Sequence, residues 1–312
     1  MIEIQKYNSD LKHDWNDFLL NSKNGSFLFS RDFVEYHSDR FEDHSLIFYR
    51  NGKISAIMVA SIKDGVLTSH AGLTYGGFVT SKSMNIIKMK EIYDQFISHC
   101  KTEKITKVIY KAIPHIYHAK PSEEDLYVLF LNKAKLIKRE VSSTIPLTDF
   151  TLPGNKRRGA NKARENDFIF KETSDFEEFF KLVNQGLNNK YNVSAVHTHQ
   201  EMEKLKRSFP KNIKLFGAYI KDELTGGALM FENRNLAHAQ YIASTDKAKR
   251  MRVYDFMMEE LTTIYRDFTW FDFGISTEDG GLTINEGLLN QKNEYGASAV
   301  NYDTYEILIE HD

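Results

Sequence analysis

The sequence predicts an α/β (α+β) protein built from two tandem units of one architecture. The same order of β-rich runs, short turns and one amphipathic helix occurs twice, with matched positions about 163 to 170 residues apart. A chain of 312 residues is also longer than one ordinary hydrophobic core requires. We therefore expect a first domain over residues 1–150 and a second over residues 151–312, with the last strand as an alternative member of the first domain.

The first unit contains three predicted strands, a helix and a fourth strand. Asn51-Gly52 separates the apolar runs HSLIFYR and KISAIMVASI, and Asp64-Gly65 separates the second run from VLTSHAGL. Asn-Gly between apolar runs is the strongest short-range signal for a β-hairpin. Apolar residues at helical spacing predict a helix over residues 84–101, and the β-rich run ITKVIYKA follows it.

The second unit repeats this order with different residues. Its strands are predicted at KLFGAYI, LTGGALMFE and LAHAQYIAS, and a helix over residues 252–265 leads into FTWFDFGI. Each unit also starts with an aromatic-rich helix candidate, at residues 15–20 and 176–187. An antiparallel meander followed by a strand–helix–strand step predicts, in each unit, a mixed, mainly antiparallel sheet flanked by helices.

Composition restricts the class of protein. Lys plus Arg (41) nearly balances Asp plus Glu (43), so no global field attracts DNA or an anionic membrane. The N-terminus has no apolar signal region, and no apolar run approaches the roughly 18 residues of a membrane span. A single cysteine, Cys100, excludes an intramolecular disulfide and a Cys-rich metal site. We expect a cytoplasmic protein.

Common catalytic and nucleotide-binding signatures are absent. The sequence has no GxGxxG, GxxxxGK[ST], HExxH or GxSxG, and its 11 His residues are scattered. We therefore expect no metal and no permanently bound cofactor.

Two basic runs are candidate anion sites. Arg157, Arg158 and Lys162 belong to the densest positive run, near the predicted domain junction, where arginine can bind phosphate in a bidentate manner. The alternative is a solvated helix face. The second run, Lys247 to Arg252, precedes the helix of the second unit, with Ser244, Thr245 and Asp246 as candidate caps. It belongs either to a loop or to an anion site.

The stretch SHAGLTYGGF, residues 69–78, follows the third strand of the first unit. It is either an ordinary turn or a place where Gly76 and Gly77 let the backbone approach an acceptor, with Tyr75 as a wall. The matching stretch LAHAQYIAS contributes His238 and Tyr241. Tyr75, Tyr117 and Tyr241 are candidates for stacking on sugar rings.

The stretch WFDFGISTEDGGLTINEGLLNQKNEYG combines a charged residue in a β-rich run with a glycine-rich loop. Asp272 lies in the aromatic strand, where a carboxylate is costly unless it is hydrogen-bonded or functional. Lys292 follows in a segment with apolar residues at helical spacing. Taken alone, Lys292 is interpreted as a surface lysine.

The whole arrangement resembles the FemAB-like acyltransferases, which contain two tandem GNAT-like domains. The resemblance rests on the duplicated unit, the YGG turn after the third strand, the strand TIPLTDF, and the closing Gln291-Lys292-Asn293-Glu294-Tyr295-Gly296, where the family has FKxxFG. It spans essentially the whole chain. Residues 161–214 have room only for short helices, so the chain looks like the type without the long helical hairpin associated with tRNA.

The resemblance implies transfer of an acyl or aminoacyl group to an amine on an amino sugar or on a cell-wall or surface-polysaccharide precursor. Lys292 falls at the lysine that stabilises charge during transfer, and Asp272 or a water deprotonates the amine. Tyr36 and His37 fall where the family has a lysine for a nucleotide-sugar diphosphate. Implied partners are a glycan or nucleotide-sugar acceptor, with acyl-CoA or aminoacyl-tRNA as the donor.

Two alternatives stay open. One is an acetyl-CoA-dependent N-acetyltransferase acting on a small amine; GNAT enzymes bind the pyrophosphate at the start of the central helix, which corresponds here to STDKAKRMRVYDF, a segment without glycine. The other is a non-catalytic glycan-binding module with the same fold, since a fold does not determine a function.

Overall fold

The computed structural model describes residues 1–37 and 39–310. The chain divides into two compact units. Unit 1 comprises residues 1–141, 277–283 and 300–312, and unit 2 comprises residues 142–276 and 284–299.

Both units contain strands and helices. The strands are β1 (Ile2–Lys6), β2 (Leu46–Arg50), β3 (Lys53–Met58), β4 (Ala60–Lys63), β5 (Val66–Ser69), β6 (Phe78–Thr80), β7 (Lys107–Lys111), β8 (Lys135–Pro146), β9 (Phe168–Glu172), β10 (Ile213–Ile220), β11 (Glu223–Asn233), β12 (Leu236–Ser244), β13 (Trp270–Ile275), β14 (Thr277–Glu278), β15 (Thr283–Ile284) and β16 (Ser298–Leu308). The helices are α1 (Lys12–Asn21), α2 (Arg31–Val34), α3 (Ile86–Thr102), α4 (Glu124–Leu131), α5 (Gly154–Arg164), α6 (Phe176–Tyr191), α7 (His199–Ser208), α8 (Asp246–Arg250), α9 (Val253–Ile264) and α10 (Glu286–Asn293).

Unit 1 has two groups of paired strands around one apolar core. The first is an antiparallel sheet of order β1-β2-β3-β6. In the second, of order β4-β5-β7-β16, only the β5–β7 pair is parallel, because α3 connects those strands by a crossover. The predicted turns are confirmed: Asn51-Gly52 (φ 51° and 72°) and Asp64-Gly65 (φ 51° and 73°) have the two positive φ values of a type I′ hairpin turn.

The predicted strand over residues 53–62 is two strands. It divides at Val59, and β3 and β4 belong to different strand groups. Met58, Val59 and Ala60 are all buried, so the run does not alternate between a buried and an exposed face. The sequence did not predict this division, because a continuous apolar run is compatible with one long buried strand as well as with two short ones.

Unit 2 has one sheet of order β8-β13-β12-β11-β10-β9, antiparallel except for the β12–β13 pair. Helices cover both faces. A Cβ on Gly227 would meet Phe179 of α6, whereas the next residue, Ala228, belongs to the core that includes Leu261 of α9. Because successive residues of a strand point to opposite faces, α6 and α9 lie on opposite sides of the sheet. The mixed sheets flanked by helices that the sequence predicted are therefore confirmed.

The helices lie where the sequence placed them. The expected segments 84–101 and 252–265 are α3 and α9, and the aromatic-rich segments lie in α1 and α6. Residues 161–214 hold α6 and α7, of 16 and 10 residues, with no longer helical insertion in the described chain.

Candidate functional site

Two parallel strands of unit 2 separate at a single point. β12 and β13 pair at three positions only, and the last pair is His238 with Asp272. β12 continues for six residues to Ser244, and its edge facing β13 has no strand partner there within the described chain. We call this place the fork. Unpaired backbone N–H and C=O groups at the fork need a partner from water or a ligand.

The side chains at the last β12–β13 pair, which we call the root of the fork, form a polar cluster. Asp272 is fully buried and accepts hydrogen bonds from Ser142 Oγ at 2.5 Å and Thr144 Oγ1 at 2.8 Å; His238 Nδ1 lies 2.8 Å from its other oxygen. Burial alone would raise the pKa of Asp272, but the hydrogen bonds and charge of His238, with the two hydroxyl donors, hold that pKa below its usual value. Asp272 is therefore a carboxylate.

A β-bulge aligns a second aromatic side chain with His238. The register shift opposite Leu229 and Met230 leaves Gln240 as the extra residue of β12. Without the bulge, His238 and Tyr241 would point to opposite faces; with it, they share one face of the sheet. The Tyr241 hydroxyl lies 3.0 Å from Nδ1 of His197, which precedes α7.

Lys292 of α10 is 7% exposed, so it is not the surface lysine that its local sequence alone suggested. Its Nζ donates to the carbonyls of Gly274 at 2.8 Å and Ile275 at 2.9 Å and to Ser276 Oγ at 2.9 Å. An ammonium group has three N–H donors, and all three are engaged. Burial lowers the pKa of Lys292 to about 8, against the opposing charge of Asp272. Lys292 thus fixes the end of β13, next to the fork.

The tyrosine of the closing motif joins a second buried cluster. Tyr295 donates to Asp255 Oδ1 of α9 at 2.7 Å, and Lys156 of α5 lies over its ring with Nζ 4.5 Å from the centroid. Lys156 also bonds Glu294 at 2.5 Å. A Cβ on Gly159 would lie 2.0 Å from Asp255 Oδ2, so only glycine lets α5 approach α9 here. The cluster holds the start of α9 against α5 and the end of α10.

Exposed cations surround the start of α9. The run that was interpreted as a loop or an anion site forms α8, which Thr245 caps by accepting from the Ala248 amide at 3.1 Å. Ser244, before this cap, has a buried hydroxyl without a hydrogen-bond partner in the described chain. Arg252 has a left-handed conformation (φ 66°) at the N-cap of α9. The exposed cations are Lys247, Lys249, Arg250 and Arg252.

The other predicted basic residues lie on the outside of α5. Arg157, Arg158 and Lys162 are exposed, whereas their neighbour Lys156 is buried. They present a solvated helix face, and phosphate binding there stays a prediction. Tyr36 of unit 1 lies in a short 3₁₀ helix with its ring edge-on to Phe33, and His37 ends that helix.

In unit 1 the residues of SHAGLTYGGF pack against the protein itself. Tyr75 and Tyr117 are 3% and 6% exposed, with ring centroids 4.3 Å apart, so neither ring has a free face for a sugar. A Cβ on Gly76 would lie 2.9 Å from the Ser69 carbonyl oxygen, and one on Gly77 (φ 80°) 2.6 Å from the Tyr110 hydroxyl. Both glycines are needed for this close packing. Their contact with an acceptor stays a prediction.

Comparison of the units shows what is special about the fork. β5 and β7 of unit 1 also form three parallel pairs, ending at Thr68 and Ile109 where unit 2 has His238 and Asp272. Beyond that point the stretch after β5 continues the pairing: the Lys111 amide donates to Ser69 Oγ at 2.8 Å, and its carbonyl accepts from the Gly76 amide at 3.1 Å. Lys111 Nζ binds three carbonyls of the same stretch. In unit 1, therefore, residues 69–76 occupy the place that corresponds to the open fork of unit 2.

Some residues of the site were not anticipated. Ser142 and Thr144 come from β8. Only TIPLTDF, which starts at Thr144, was named as a strand from the sequence, although the consecutive polar residues Ser142, Ser143 and Thr144 between Val141 and Ile145 were an available signal. No sequence pattern indicated Asp255 or the buried role of Lys156. Among residues 1–37 and 39–310, no group of three or more His, Cys, Asp or Glu side chains is placed to hold a metal ion. In that same part of the chain, no helix has both the length and the apolarity needed to cross a membrane.

One family model matches part of the sequence, and several solved structures have a similar fold. Residues 154–279 match the family model described as an acetyltransferase (GNAT) domain. The crystal structure of FemX is similar over 98% of this chain and 97% of its own, with TM-score 0.71 and 11% identity. The C-terminal domain of an Agrobacterium fabrum protein assigned as a lysylphosphatidylglycerol synthetase gives 96% and 92%, TM-score 0.61 and 12%. A tandem GNAT protein from the clavulanic acid biosynthesis pathway gives 100% and 100%, TM-score 0.51 and 8%. No curated protein matches the sequence.

These comparisons identify the fold. The fold is a tandem GNAT-like fold, and the resemblance to FemAB-like acyltransferases indicated by the sequence is confirmed. The GNAT match covers most of unit 2, including β12, α9 and β13, and supports an acyltransferase of the GNAT type.

Proposed function

We propose that unit 2 transfers an acyl group from an acyl-CoA thioester to the amine of an amino sugar or of a related cell-envelope precursor. One observation carries the proposal: within the segment that matches the GNAT family, β12 and β13 separate at His238 and Asp272, leaving beside them a strand edge that no other described strand pairs with. The equivalent place in unit 1 is filled by its own chain.

The donor site follows from the unpaired edge of β12. The pantetheine arm of coenzyme A is extended and contains two amide groups, so it can pair with residues 239–244 as an additional strand. In that position its thioester end lies toward His238 and its phosphates toward the start of α9. The direction is set by the chain, because β12 runs from the His238–Asp272 pair to Ser244, and Thr245, the next residue, caps α8.

The cations at α8 and α9 supply the phosphate site. Free N–H groups at a helix start attract anions, and arginine adds charge and paired donors. Asp255 in the first turn of α9 opposes an anion, but its Oδ1 already accepts from Tyr295. Arg250 and Arg252 are the cations nearest in sequence to the first turn of α9. Glycine is dispensable here if side chains rather than backbone amides contact the pyrophosphate.

Lys292 acts by fixing the end of β13. Since its three donors hold Gly274, Ile275 and Ser276, it maintains the geometry of the fork and places one buried positive charge behind it. This charge stabilises the negative oxygen that develops when the amine attacks the thioester carbonyl. The role keeps the electrostatic contribution implied by the family resemblance, without a direct contact to the oxyanion.

The nature of the acceptor rests on the family resemblance. Of the three structures described above, FemX has the highest TM-score, and the FemAB-like resemblance implies an amino sugar or a cell-wall or surface-polysaccharide precursor. Exposed Arg157, Arg158 and Lys162 on α5 are candidates for the phosphates of a nucleotide-sugar acceptor. Aminoacyl-tRNA is the alternative donor.

Thermal unfolding with acetyl-CoA and longer acyl-CoAs tests the donor. A ligand at 100 times its Kd stabilises the folded protein by about 2.7 kcal/mol, so Tm rises measurably. The double variant Arg250→Ala/Arg252→Ala should lose most of this shift. The matched control Lys53→Ala/Lys63→Ala removes two exposed lysines of unit 1 and should keep it. An absence of any shift with every acyl-CoA, together with binding of aminoacyl-tRNA, would replace acyl-CoA by the alternative donor.

A further inference from the structure

We propose that His238 is the catalytic base, which takes the proton from the attacking amine through Nε2, and that Asp272 is the residue that positions it. This inference rests on the proposed function, and it moves the proton-accepting role away from Asp272. Asp272 has no exposed surface, and its carboxylate is occupied by Ser142, Thr144 and His238. It therefore has no free path to a substrate.

The hydrogen bond to Asp272 determines which nitrogen of His238 is basic. Because Asp272 is a carboxylate, it accepts, so Nδ1 of His238 carries the hydrogen. In the neutral ring Nε2 then has a free lone pair, which is the form required of a general base. No hydrogen bond from the described chain reaches Nε2, and the side chain is 19% exposed.

The backbone around His238 leaves its ring accessible. Gly274 has φ 76°, and a Cβ on it would lie 3.4 Å from His238 Cε1. Lys292 holds this glycine through its carbonyl. The end of β13 therefore passes the His238 imidazole without covering it. The imidazole lies where the thioester end of the proposed acyl-CoA would be.

Unit 1 shows whether the buried carboxylate of Asp272 is needed for the strand pairing alone. The equivalent pair in unit 1 is Thr68 and Ile109, so the parallel pairing of these strands does not require a buried charge. Burying a carboxylate is costly, and replacing such a group by apolar residues is often neutral or stabilising. Of the two equivalent strand pairs, the one in unit 2 has a buried carboxylate with three hydrogen-bond partners, and it is the one beside an open strand edge. This favours a functional role for Asp272 over a role in packing.

Other candidate bases near the fork are less suitable. Lys292 Nζ is held by three acceptors. Burial raises the pKa of Tyr241, and its hydroxyl already lies 3.0 Å from His197. Neither group combines a free lone pair with access to the last β12–β13 pair, where the thioester of the proposed donor lies.

The step balances as an acyl transfer. The amine nitrogen forms a bond to the thioester carbonyl carbon, and the adduct passes its N–H proton to His238 Nε2. The C–S bond then breaks with its electron pair on sulfur, and the imidazolium returns the proton to the thiolate. The products are an amide and free coenzyme A, and His238 is neutral again.

Steady-state kinetics test the proposal with acetyl-CoA as donor and glucosamine and glucosamine 1-phosphate as probe amines, with thiol release as readout. His238→Gln should lower kcat by about 100-fold or more, with KM for acetyl-CoA nearly unchanged, because general-base catalysis contributes about 10²–10⁴-fold. The acid limb of the wild-type pH profile should disappear. His13→Gln, an exposed histidine of α1, is the matched control and should behave as the wild type. Asp272→Asn should lower kcat and alter the pH profile.

The outcomes separate the two proposals. Wild-type turnover with an equally active His238→Gln overturns the assignment of the base and leaves the proposed function intact. An absence of wild-type turnover with both amines, using acetyl-CoA and each longer acyl-CoA of the thermal-unfolding series as donor, overturns the proposed function and this inference with it. If His238→Gln fails to fold, ¹⁵N-histidine NMR of the wild type decides. A hydrogen on Nδ1 of neutral His238 supports the proposal, and a hydrogen on Nε2 overturns it.

Discussion

Nδ1 of His238 lies 2.8 Å from Oδ2 of Asp272, at the last pair formed by β12 and β13. The two residues lie 34 positions apart in the chain and meet because α9 returns the chain to the parallel strand. The last pair between β12 and β13 thus contains a histidine whose tautomer is fixed by a hydrogen bond to Asp272.

The packing of α5 on α9 should depend on Gly159. Gly159→Ala places a methyl group 2.0 Å from Asp255 Oδ2, inside a buried cluster, and should lower the free energy of unfolding by about 3 kcal/mol. Gly186→Ala in α6 is the control: no atom lies within 4 Å of the added Cβ, and the change should stabilise by about 0.5–1 kcal/mol. Urea unfolding of both variants checks this. Equal stabilities would show that α5 moves away from α9 without cost.

The glycine stretch of unit 1 should show a packing cost beyond its backbone cost. Gly77 and Gly52 both have positive φ, but a Cβ on Gly77 meets Tyr110, whereas one on Gly52 meets nothing within 4 Å. Gly52→Ala should cost about 1 kcal/mol from strain alone. Gly77→Ala should cost about 3 kcal/mol, because it adds a clash in the core. Chemical denaturation measures both, and similar losses would contradict the packing role of Gly77.

The buried ammonium of Lys292 should make stability depend on pH in the alkaline range. Its pKa is about 8 in the folded protein, compared with about 10.4 for an unperturbed lysine. Between these values the unfolded chain holds a proton that the folded protein has lost, so the free energy of unfolding rises with pH. The rise attributable to Lys292 is about 3 kcal/mol from pH 8 to 10.4, at about 1.36 kcal/mol per pH unit.

The variant Lys292→Met isolates this contribution. It should be less stable than the wild type at pH 7, because three acceptors lose their donor, and the deficit should widen as the pH rises above 8. Urea titrations of both proteins at pH 7, 8, 9 and 10 measure the difference, in which other titrating groups cancel. Parallel pH profiles would show that Lys292 keeps an ordinary pKa.

Local sequence patterns determined most of the fold. Asn51-Gly52 and Asp64-Gly65 specify their turns through backbone preference, and α3 and α9 follow from the spacing of apolar residues. The division at Val59 was missed because a continuous apolar run has no period that marks where a strand changes partners.

The chemistry of the site depended on long-range register, which no local pattern contains. Asp272 and Lys292 were recognised as candidates, but their partners were not: Ser142 lies 130 positions before Asp272. The side chain of Lys292 also takes its direction from the packing of α10, so its burial could not be read from the surrounding polar residues. The comparison of Thr68 and Ile109 with His238 and Asp272 required the registers of both parallel pairs.

A crystal structure with bound coenzyme A tests the proposed donor site. We expect one coenzyme A per chain, with its pantetheine arm paired to β12 between Ala239 and Ser244 and its thiol end nearest His238. Its phosphates should contact Arg250 or Arg252. Coenzyme A bound at β5 and β7 of unit 1, or bound to unit 2 without contact to the β12 edge, would show that the fork is not the donor site.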